Sequence, residues 1–494
     1  MGVALEWWVL PGRAFALHSG CPVREGSFPP AGFLDGPAAG HGLFCSPQLP
    51  DDLFGGMSFS FHGSHWRSRA RTLMSHGPVF GGAFQGNSDG CAWVSGILTE
   101  GSGGSCSADM KTVRIGLVGL GNMGKAHRAS LRAGRVEGLQ LTAVCDRAEA
   151  LPEPVEGEAQ FTEFGAMLRS GEIDAVLIAT PHYFHTTMGI EALEAGLHVM
   201  VEKPLSVHKA DCGRLVAAHR GGAQVFGAMF QLRTDPLYQQ IRSLITGGEL
   251  GEIRRVLWDC TDWFRTETYY ASGGWRATWK GEGGGVLLNQ CPHNLDLYQW
   301  LFGMPQEVTG FCQFGRYHDI EVEDDVTAYF RYADGRHATF ITSTGEAPGR
   351  NLLQVTGERG VLTVEGRTLK FLRNRVPMSQ FSAETAAGFA KPECWQVEVP
   401  VPEGGASHNV VLQNFADAIR KGEPLIAPAA EGIHSIELAN AILLSTWKQR
   451  TVVLPMDAGE YEAELQHRIA TSTHVKKPPV ARAISSDDFA KSFK

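Results

Sequence analysis

The 494-residue chain has no uninterrupted apolar run of about 18 residues, so the sequence predicts no membrane-spanning helix. It has no excess of positive charge either. With 44 Lys and Arg against 53 Asp and Glu, the net charge of −9 disfavours nucleic acid or an anionic membrane as a partner. No basic residue precedes the apolar N-terminal stretch, so no secretory signal is expected. The ten cysteines form no C-x-x-C pair, which is typical of free thiols in a cytoplasmic protein.

The first 109 residues contain no lysine and no tyrosine but 20 glycines and four tryptophans, and show no lasting periodicity. We expect Met110 to be the physiological start and residues 1–109 to be non-native, with a genuine disordered extension as the alternative. His62 and His65 imitate a metal pair, but further ligands are not near, so no metal site is expected. Residues 471–494 are polar and predict a loose tail.

A strand, a glycine-rich turn and a helix follow Met110 directly. Residues 113–118 form a short apolar run typical of a buried parallel strand, and residues 125–132 predict a helix. Between them, Gly119 permits a tight turn, Gly121 lets the backbone approach a pyrophosphate, and Gly124 lets the helix pack on the strand. The pyrophosphate would lie at the helix N-terminus, where Asn122 and Met123 complete the predicted cofactor turn.

The second predicted strand, residues 139–145, ends at Asp146. A carboxylate there should bind the ribose hydroxyls of adenosine and repel a 2′-phosphate. Arg147 is adjacent and could compensate that repulsion. The sequence therefore predicts NAD as the cofactor, with NADP as the alternative.

Two further buried strands are predicted at residues 175–179 and 197–201, separated by a helix over residues 187–194 that Gly196 closes. Ligands of open α/β sheets bind at the carboxyl ends of the strands. The residues expected at those ends, in the same crevice as Gly121, are Thr180, Pro181, Glu202 and Lys203.

After residue 230 the pattern changes to alternating strands, such as residues 254–259, 325–331 and 337–343, which predict an antiparallel sheet. Helices are expected over residues 286–302 and 410–420. The predicted domains are a Rossmann domain over residues 110–230 and an α+β domain over residues 231–470. The fold class is thus α/β, a dinucleotide-binding domain followed by a large, mainly antiparallel sheet.

From Val113 to Pro455 the chain resembles the Gfo/Idh/MocA oxidoreductases. Four motifs carry the resemblance: GLGNMG at 119–124, ATPHYFH at 179–185, AGLHVMVEKPLS at 195–206 and GGGVLLNQCPHNLD at 283–296. The resemblance implies a Rossmann domain, then an open sheet through which homodimers or homotetramers form. It also implies that NAD or NADP exchanges a hydride with a secondary hydroxyl of a sugar, glycoside or cyclitol.

Three residues are expected to carry the chemistry. Removing a hydride from an alcohol also requires removal of the hydroxyl proton, and a positioned base accelerates that step. Lys203, whose pKa a desolvated crevice would lower, matches the catalytic lysine of the family; the alternative is a lysine paired with Glu202 alone. His293 matches the acid/base histidine, and Asn289 stands where the family has an aspartate, so the proton role falls on His293. A histidine buried in the core is the alternative reading.

The resemblance adds further positions. Those expected near the cofactor are His185, Gln231, Arg233, Trp275 and Arg276, and those expected near the substrate are Trp279, Asp296 and His408. For Trp275 the alternative is a core residue, and for Arg276 a surface cation. The acidic run at residues 323–325 is expected to begin a solvated strand and to bind no metal.

Three functions stay open from the sequence. The first is a dehydrogenase or reductase of a sugar, glycoside or cyclitol. The second is a redox-neutral glycosidase or lyase that keeps NAD bound and acts through a transient keto-sugar. The third is a non-catalytic NAD-binding regulator, which the presence of both Lys203 and His293 disfavours.

Overall fold

The computed structural model describes residues 112–219 and 221–476. The expectations for residues 1–109, for His62 and His65, for Met110 and for the tail beyond residue 476 lie outside these ranges. Within them, no helix is long and apolar enough to cross a membrane.

The helices and strands of the described residues alternate at first and then form a long run of strands. The helices are α1 (Asn122–Arg132), α2 (Phe164–Arg169), α3 (Tyr183–Glu194), α4 (Lys209–Ala218), α5 (Pro236–Thr246), α6 (Glu267–Ala271), α7 (Pro292–Phe302), α8 (Met378–Glu384), α9 (His408–Lys421), α10 (Gly432–Lys448) and α11 (Ala458–Thr471). The strands are β1 (Val113–Val118), β2 (Leu139–Cys145), β3 (Ala159–Phe161), β4 (Ala175–Ile178), β5 (His198–Val201), β6 (Phe226–Ala228), β7 (Ile253–Cys260), β8 (Glu307–Phe314), β9 (Glu323–Arg331), β10 (His337–Ser343), β11 (Asn351–Gly357), β12 (Gly360–Glu365), β13 (Thr368–Asn374), β14 (Cys394–Val399) and β15 (Val452–Val453).

The first sheet is parallel, in the order β3-β2-β1-β4-β5-β6. Strands β1 and β4 are buried along nearly their whole length, as their continuous apolar runs predict. The strand order reverses between β1 and β4, which is where doubly wound sheets bind their ligands. The expected Rossmann fold is confirmed, and its crevice opens beside the end of β1.

The second sheet has nine strands in the order β14-β13-β12-β11-β7-β10-β9-β8-β15. Its neighbours pair antiparallel except for β7 and β10 at the centre, which run parallel. Helix α10 lies on one face and approaches closest at Gly310, where an added Cβ would stand 2.4 Å from the carbonyl oxygen of Ile442. The sequence prediction of a mainly antiparallel second sheet is therefore confirmed.

Helix α9 packs against the first sheet. Although it follows strands β7 to β14 of the second sheet in sequence, its apolar face packs with β1 and β2 in one cluster through Val411, Leu412 and Phe415. Gln413 also receives a hydrogen bond from the Glu137 backbone N–H at 2.7 Å. The chain thus returns to the first sheet before its last strand, β15, joins the second sheet.

The helix expected to begin at Val286 begins instead at Pro292, so that prediction is wrong. Residues 286–291 form consecutive turns, with the Cys291 N–H bonded to the Val286 carbonyl at 2.8 Å. Pro292 has no N–H to continue the turns and its fixed φ suits the first position of a helix. Asn289 and His293 are consequently not one turn apart on a regular helix.

The acidic run that opens β9 is buried and not solvated, which corrects a second prediction. Glu323 and Asp324 are both 0% exposed. The Glu323 carboxyl accepts hydrogen bonds from the backbone N–H groups of Gly285 at 2.8 Å and Leu287 at 3.1 Å. Burial raises the pKa of Glu323 to about 8, although these N–H groups act to lower it.

Replacing Glu323 by Gln is expected to remove a pH dependence of stability. Because the folded-state pKa lies above the ordinary value, the stability that the protonated acid contributes is complete below about pH 4.5 and is lost as the pH rises through 8. Glu323→Gln should therefore match the wild type at pH 5 and exceed it by roughly 2–4 kcal/mol at pH 9. Urea unfolding at both pH values, with Glu365→Gln as the exposed control, makes the measurement. A constant difference at all pH values would contradict the burial argument.

Candidate active site

The glycine-rich turn between β1 and α1 leaves open space where a dinucleotide needs it. A Cβ on Gly119 would lie 2.6 Å from the Ala179 carbonyl oxygen, and a Cβ on Gly124 only 1.8 Å from that of Gly119. At Gly121, in contrast, an added Cβ would meet no atom within 4 Å. No side chain caps α1 at Gly121, and its first turn, which includes Asn122 and Met123, carries no acidic residue. The turn therefore fits a pyrophosphate bound by backbone N–H groups.

Asp146 stands directly beside this turn. Its carboxylate accepts hydrogen bonds from the backbone N–H of Leu120 at 2.6 Å and of Arg147 at 2.7 Å. The Arg147 guanidinium points away to the exposed Glu149, 3.1 Å distant. The carboxylate is thus fixed at the end of β2, without the arginine as its ion-pair partner.

The residues at the end of β4 include one that the sequence misassigned. Thr180 and Pro181 are half-buried at the crevice, with the Thr180 hydroxyl 3.8 Å from the Met188 sulfur. His185 is completely buried, and its ring nitrogens lie 2.8 Å from the Thr180 and Pro204 carbonyl oxygens. His185 therefore braces the ends of β4 and β5 against each other, which leaves no ring nitrogen for the cofactor.

Glu202 belongs to a buried cluster with two histidines. Its carboxylate lies 2.6 Å from His127 Nε2, and the His127 ring meets the His408 ring edge-on at 5.5 Å. Burial acts to raise the pKa of Glu202, but the hydrogen bond and charge of His127, followed by His408 and Lys203, lower it to about 2. Burial, opposed by Glu202, lowers the pKa of His408 to about 4. His408 thus reaches the Lys203 region because α9 returns to the first sheet.

Lys203 extends from β5 across to the second part of the chain. Its ammonium donates to the backbone carbonyl of Asn289 at 2.9 Å, whereas the Glu202 carboxylate is occupied by His127. Burial lowers the pKa of Lys203, against the charges of Glu202 and Glu282. The alternative of a lysine paired with Glu202 alone does not describe this arrangement.

The Asn289 side chain is held by two residues that the sequence reasoning did not single out together. Its amide nitrogen donates to the buried carboxyl of Glu282, and its amide oxygen accepts from the Tyr269 hydroxyl at 3.0 Å. Glu282 also accepts from the N–H of Ala277, a non-glycine residue with φ +52°. Burial raises the pKa of Glu282, while Arg276 acts to lower it. An amide at 289 fits this site because an aspartate would face the Glu282 carboxyl.

His293 is buried at the first turn of α7, against the end of β6. Its Nε2 lies 3.1 Å from the Gln231 amide nitrogen, and its ring meets Phe230 edge-on. Among the described residues Nδ1 has no hydrogen-bond partner, so this nitrogen is available to a substrate hydroxyl. Burial lowers the pKa of His293 well below its usual value, and the charge of Lys203 acts in the same direction.

Arg233 and Asp296 form an ion pair in the protein interior. The guanidinium lies 2.6–2.8 Å from both carboxylate oxygens, each residue being 1% exposed. Glu431 accepts a further bond from Arg233 at 2.5 Å. The Asp296 carboxylate is therefore bound to Arg233, which does not fit the substrate contact expected of Asp296. The Arg233 guanidinium is bound to Asp296 and Glu431, which does not fit the cofactor contact expected of Arg233.

Trp275 and Trp279, the two tryptophans before the glycine run, lie in different environments. The Arg276 guanidinium lies between the rings of Tyr269 and Trp275, 4.6 and 4.7 Å from their centroids. Trp279 is 5% exposed and packs against Phe314 and Trp447, which makes it a core residue and contradicts a substrate role. Arg276 and Trp275 thus stay beside the crevice, whereas Trp279 does not.

The start of the polar tail also reaches this region. The ammonium of Lys476 donates to the Arg276 carbonyl at 2.5 Å. Burial lowers the pKa of Lys476 to about 8, with Glu282 opposing and Arg276 assisting. No pattern in the sequence signals this contact, since residues 472–476 are mostly polar and aperiodic.

Two protein-family models match the chain. The oxidoreductase family with an NAD-binding Rossmann fold matches residues 113–228, and the GFO/IDH/MocA C-terminal domain matches residues 238–363. Together these spans cover the crevice and its three central residues, Lys203, Asn289 and His293.

Individual relatives agree with the family models. The chain is 32% identical over 147 residues to an inositol 2-dehydrogenase of Salmonella typhimurium, spanning 44% of that protein and 28% of this chain. An inositol 2-dehydrogenase of Rhizobium meliloti is 25% identical, with 99% of its length and 69% of this chain covered. The WlbA dehydrogenase of Chromobacterium violaceum, solved with NADH and UDP-GlcNAcA, has 28% identity and a TM-score of 0.61, with 98% of that chain and 71% of this one covered. The chain belongs to the Gfo/Idh/MocA family of oxidoreductases with an NAD-binding Rossmann fold.

Proposed function

We propose that this protein is an NAD-dependent dehydrogenase acting on a secondary hydroxyl of a sugar, glycoside or cyclitol. One observation carries the proposal. The Lys203 ammonium, just after β5, donates to the Asn289 carbonyl and lies close enough to His293 for its charge to act on the imidazole, and the glycine turn after β1 is open to a dinucleotide. The similarity to inositol 2-dehydrogenases and to WlbA dehydrogenase supports the same class of substrate.

The chain's own residues supply binding and proton transfer. NAD supplies the hydride acceptor when it is bound. Lys203 has a lowered pKa and so shares its proton with the reacting oxygen more readily than a solvated lysine. His293, whose pKa lies well below the usual value, is neutral at neutral pH. The Gln231 amide oxygen, which has no partner among the described residues, can turn to accept from Nε2–H of His293, and Nδ1 then accepts the hydroxyl proton. Asn289, fixed by Glu282 and Tyr269, holds Lys203 through its carbonyl.

A substrate screen tests the proposal. Inositols, hexoses, glycosides and 3-keto sugars are incubated with NAD or NADH, and net change of the reduced nicotinamide absorbance is followed. Net turnover with at least one polyol is expected. Product release from a glycoside without net cofactor turnover would instead identify the redox-neutral glycosidase or lyase.

The cofactor choice gives a specific prediction at Asp146. Asp146→Asn removes the charge but keeps an acceptor for the Leu120 N–H, so the turn should stay intact. Since unit charges about 4 Å apart at a partly exposed site interact by up to roughly 4 kcal/mol, we expect the NAD-over-NADP ratio of kcat/KM to fall by about ten- to a hundredfold. Glu149→Gln, at the exposed partner of Arg147, is the control. A wild type that already prefers NADP would refute the argument.

A homodimer or homotetramer formed through the second sheet is part of the proposal. The face of that sheet opposite α10 carries exposed apolar side chains, of which Phe311 is 65% and Tyr329 39% exposed. A sheet face with such side chains is stabilised when a second copy covers it. Phe311→Lys combined with Tyr329→Lys should shift the species seen by light scattering towards the monomer, whereas an unchanged mass would refute an interface at this face.

A cytoplasmic location is also proposed, because the six described cysteines are unpaired thiols.

A further inference from the structure

A cluster of cations surrounds the Tyr269 ring next to Lys203. The Cζ atoms of Arg265 and Arg276 lie 5.2 and 4.6 Å from the ring centroid. The Tyr269 hydroxyl donates to Asn289, whose carbonyl binds Lys203. Three cationic side chains therefore share one network of contacts.

Nearby carboxylates act on these cations from a distance. Glu282 and Asp262 interact with Arg276 and Arg265, Glu202 and Glu282 act on Lys203, and Glu267 and Asp319 line a cavity together with Arg276 and Lys476. Lys476, at the Arg276 carbonyl, adds a fourth cation. Burial raises the pKa of both Glu282 and Asp262, which weakens their compensation further. The oxidised nicotinamide ring is itself cationic and would add to the positive potential that a substrate anion meets.

The same region has N–H donors without acceptors. Within residues 112–219 and 221–476, the Nε atoms of Arg265 and Arg276 and the Nε1 atom of Trp263 are buried and have no hydrogen-bond partner. The guanidinium of Arg276 donates to the Tyr269 hydroxyl at 2.8 Å, and that of Arg265 donates to backbone carbonyls, so these contacts leave both Nε–H groups unused. Buried polar groups in folded proteins are normally paired, so three orphan donors in one place indicate a missing acceptor.

Arg265 is the best placed of these groups to bind an anion. Its backbone is held on both sides, by the Thr344 carbonyl at 2.9 Å and by His318 Nε2 at 2.9 Å. Its Nη1 donates to the Phe264 carbonyl at 2.9 Å, while the Nε edge has no acceptor among the described residues. A guanidinium edge offers two parallel N–H groups, the geometry that a carboxylate matches with its two oxygens.

We propose that the substrate is a sugar acid or cyclitol acid whose carboxylate is bound by Arg265, with Arg276 adding to the positive potential. The inference rests on the proposed dehydrogenase function and narrows its substrate class. It predicts that an acidic sugar is preferred over the neutral sugar of the same stereochemistry.

Matched pairs of substrates test the proposal on the full chain with NAD. The pairs are D-glucose with D-glucuronate and D-galactose with D-galacturonate. We expect kcat/KM for the better acid to exceed that of its neutral partner at least about tenfold, since hydrogen bonds to charged groups contribute about 1.5–3 kcal/mol. Arg265→Gln should lower that ratio by about ten- to a hundredfold, and Arg265→Lys, which keeps the charge but loses the planar edge, by less. Arg316→Gln, at an exposed arginine that lies 3.7 Å from Asp325, is the matched control and should leave the ratio unchanged.

Binding without turnover separates this inference from the proposed function. The melting temperature of the protein with NADH is measured with each acid and its neutral partner, at low and high salt. A larger stabilisation by the acid that falls with salt and is lost in Arg265→Gln supports the inference, even if no sugar is oxidised and the dehydrogenase proposal fails. Oxidation of neutral members as fast as the acids, or equal stabilisation by both, overturns the inference and leaves the dehydrogenase proposal standing. If Arg265→Gln fails to fold, two other results test the inference. They are the acid-over-neutral ratio of kcat/KM in Arg265→Lys and the salt dependence of the stabilisation of the wild type by the acid.

Discussion

Replacing Lys203 by Met is expected to slow hydride transfer by about 10²–10⁴-fold, the usual contribution of a positioned acid or base. Met keeps the length of the side chain but has no N–H to donate to the Asn289 carbonyl or to a reacting oxygen. The rate is measured in a single turnover with the protein saturated with NAD, which separates chemistry from cofactor release. Lys421→Met, at an exposed lysine that pairs with Asp417, is the control and should retain the wild-type rate. A rate within threefold of wild type for Lys203→Met would refute its catalytic role.

Replacing His293 by Gln should give a comparable loss with little change in NAD affinity, because the glycine turn and Asp146, which are proposed to hold the dinucleotide, stay unchanged. Burial and Lys203 lower the pKa of His293, so the acidic limb of kcat/KM should lie below the ordinary histidine pKa of about 6.5. The alternative of a purely structural histidine predicts an early melting temperature with an unchanged single-turnover rate. The melting temperature and the single-turnover rate, measured on the same preparation, distinguish the catalytic role of His293 from the structural one.

The part of the candidate site formed by the first sheet could be predicted from the sequence, because short apolar runs and glycines determine its strands and turns. The bounds of β1 and β2 agree with the predicted strands at residues 113–118 and 139–145, because a short apolar run beside glycine has few alternatives to a buried strand. The ends of parallel strands meet at one edge, so Lys203 and the glycine turn were expected together. Local pattern and sheet geometry are sufficient for this part of the site.

The remainder depends on contacts between residues distant in sequence. Glu282 binds Asn289 only because the chain reverses through Ala277, where φ is +52°, and nothing in the local sequence requires that conformation. His408 approaches Glu202 because α9 returns to the first sheet after β14, far along the chain from β5. Glu323, in an acidic run, resembles a surface residue until Gly285 and Leu287 enclose it. Such burial is set by tertiary packing and leaves no periodic signal.

Removing the Arg233 guanidinium should have the largest effect on stability. Arg233 and Asp296 are each 1% exposed and joined by two hydrogen bonds, so Arg233→Met leaves a buried carboxylate without its partner. Breaking one side of a buried pair costs about 3–5 kcal/mol. Urea unfolding followed by circular dichroism should show this loss. Arg367→Met is the matched control, since Arg367 pairs with Asp235 from a half-exposed position and should cost about 1 kcal/mol or less.

The double variant Arg233→Met with Asp296→Leu distinguishes an ion pair from simple packing. If the cost of Arg233→Met comes from the unpaired Asp296 carboxylate, removing that carboxylate should restore a large part of the lost stability, because apolar replacements of buried pairs are often close to neutral. Glu431, 43% exposed and the second acceptor of Arg233, stays solvated and adds little penalty. Losses that simply add in the double variant would mean that the two side chains contribute through packing and not through their charges. Recovery of stability would instead establish that the cost of Arg233→Met comes from the buried Asp296 carboxylate left without its cation.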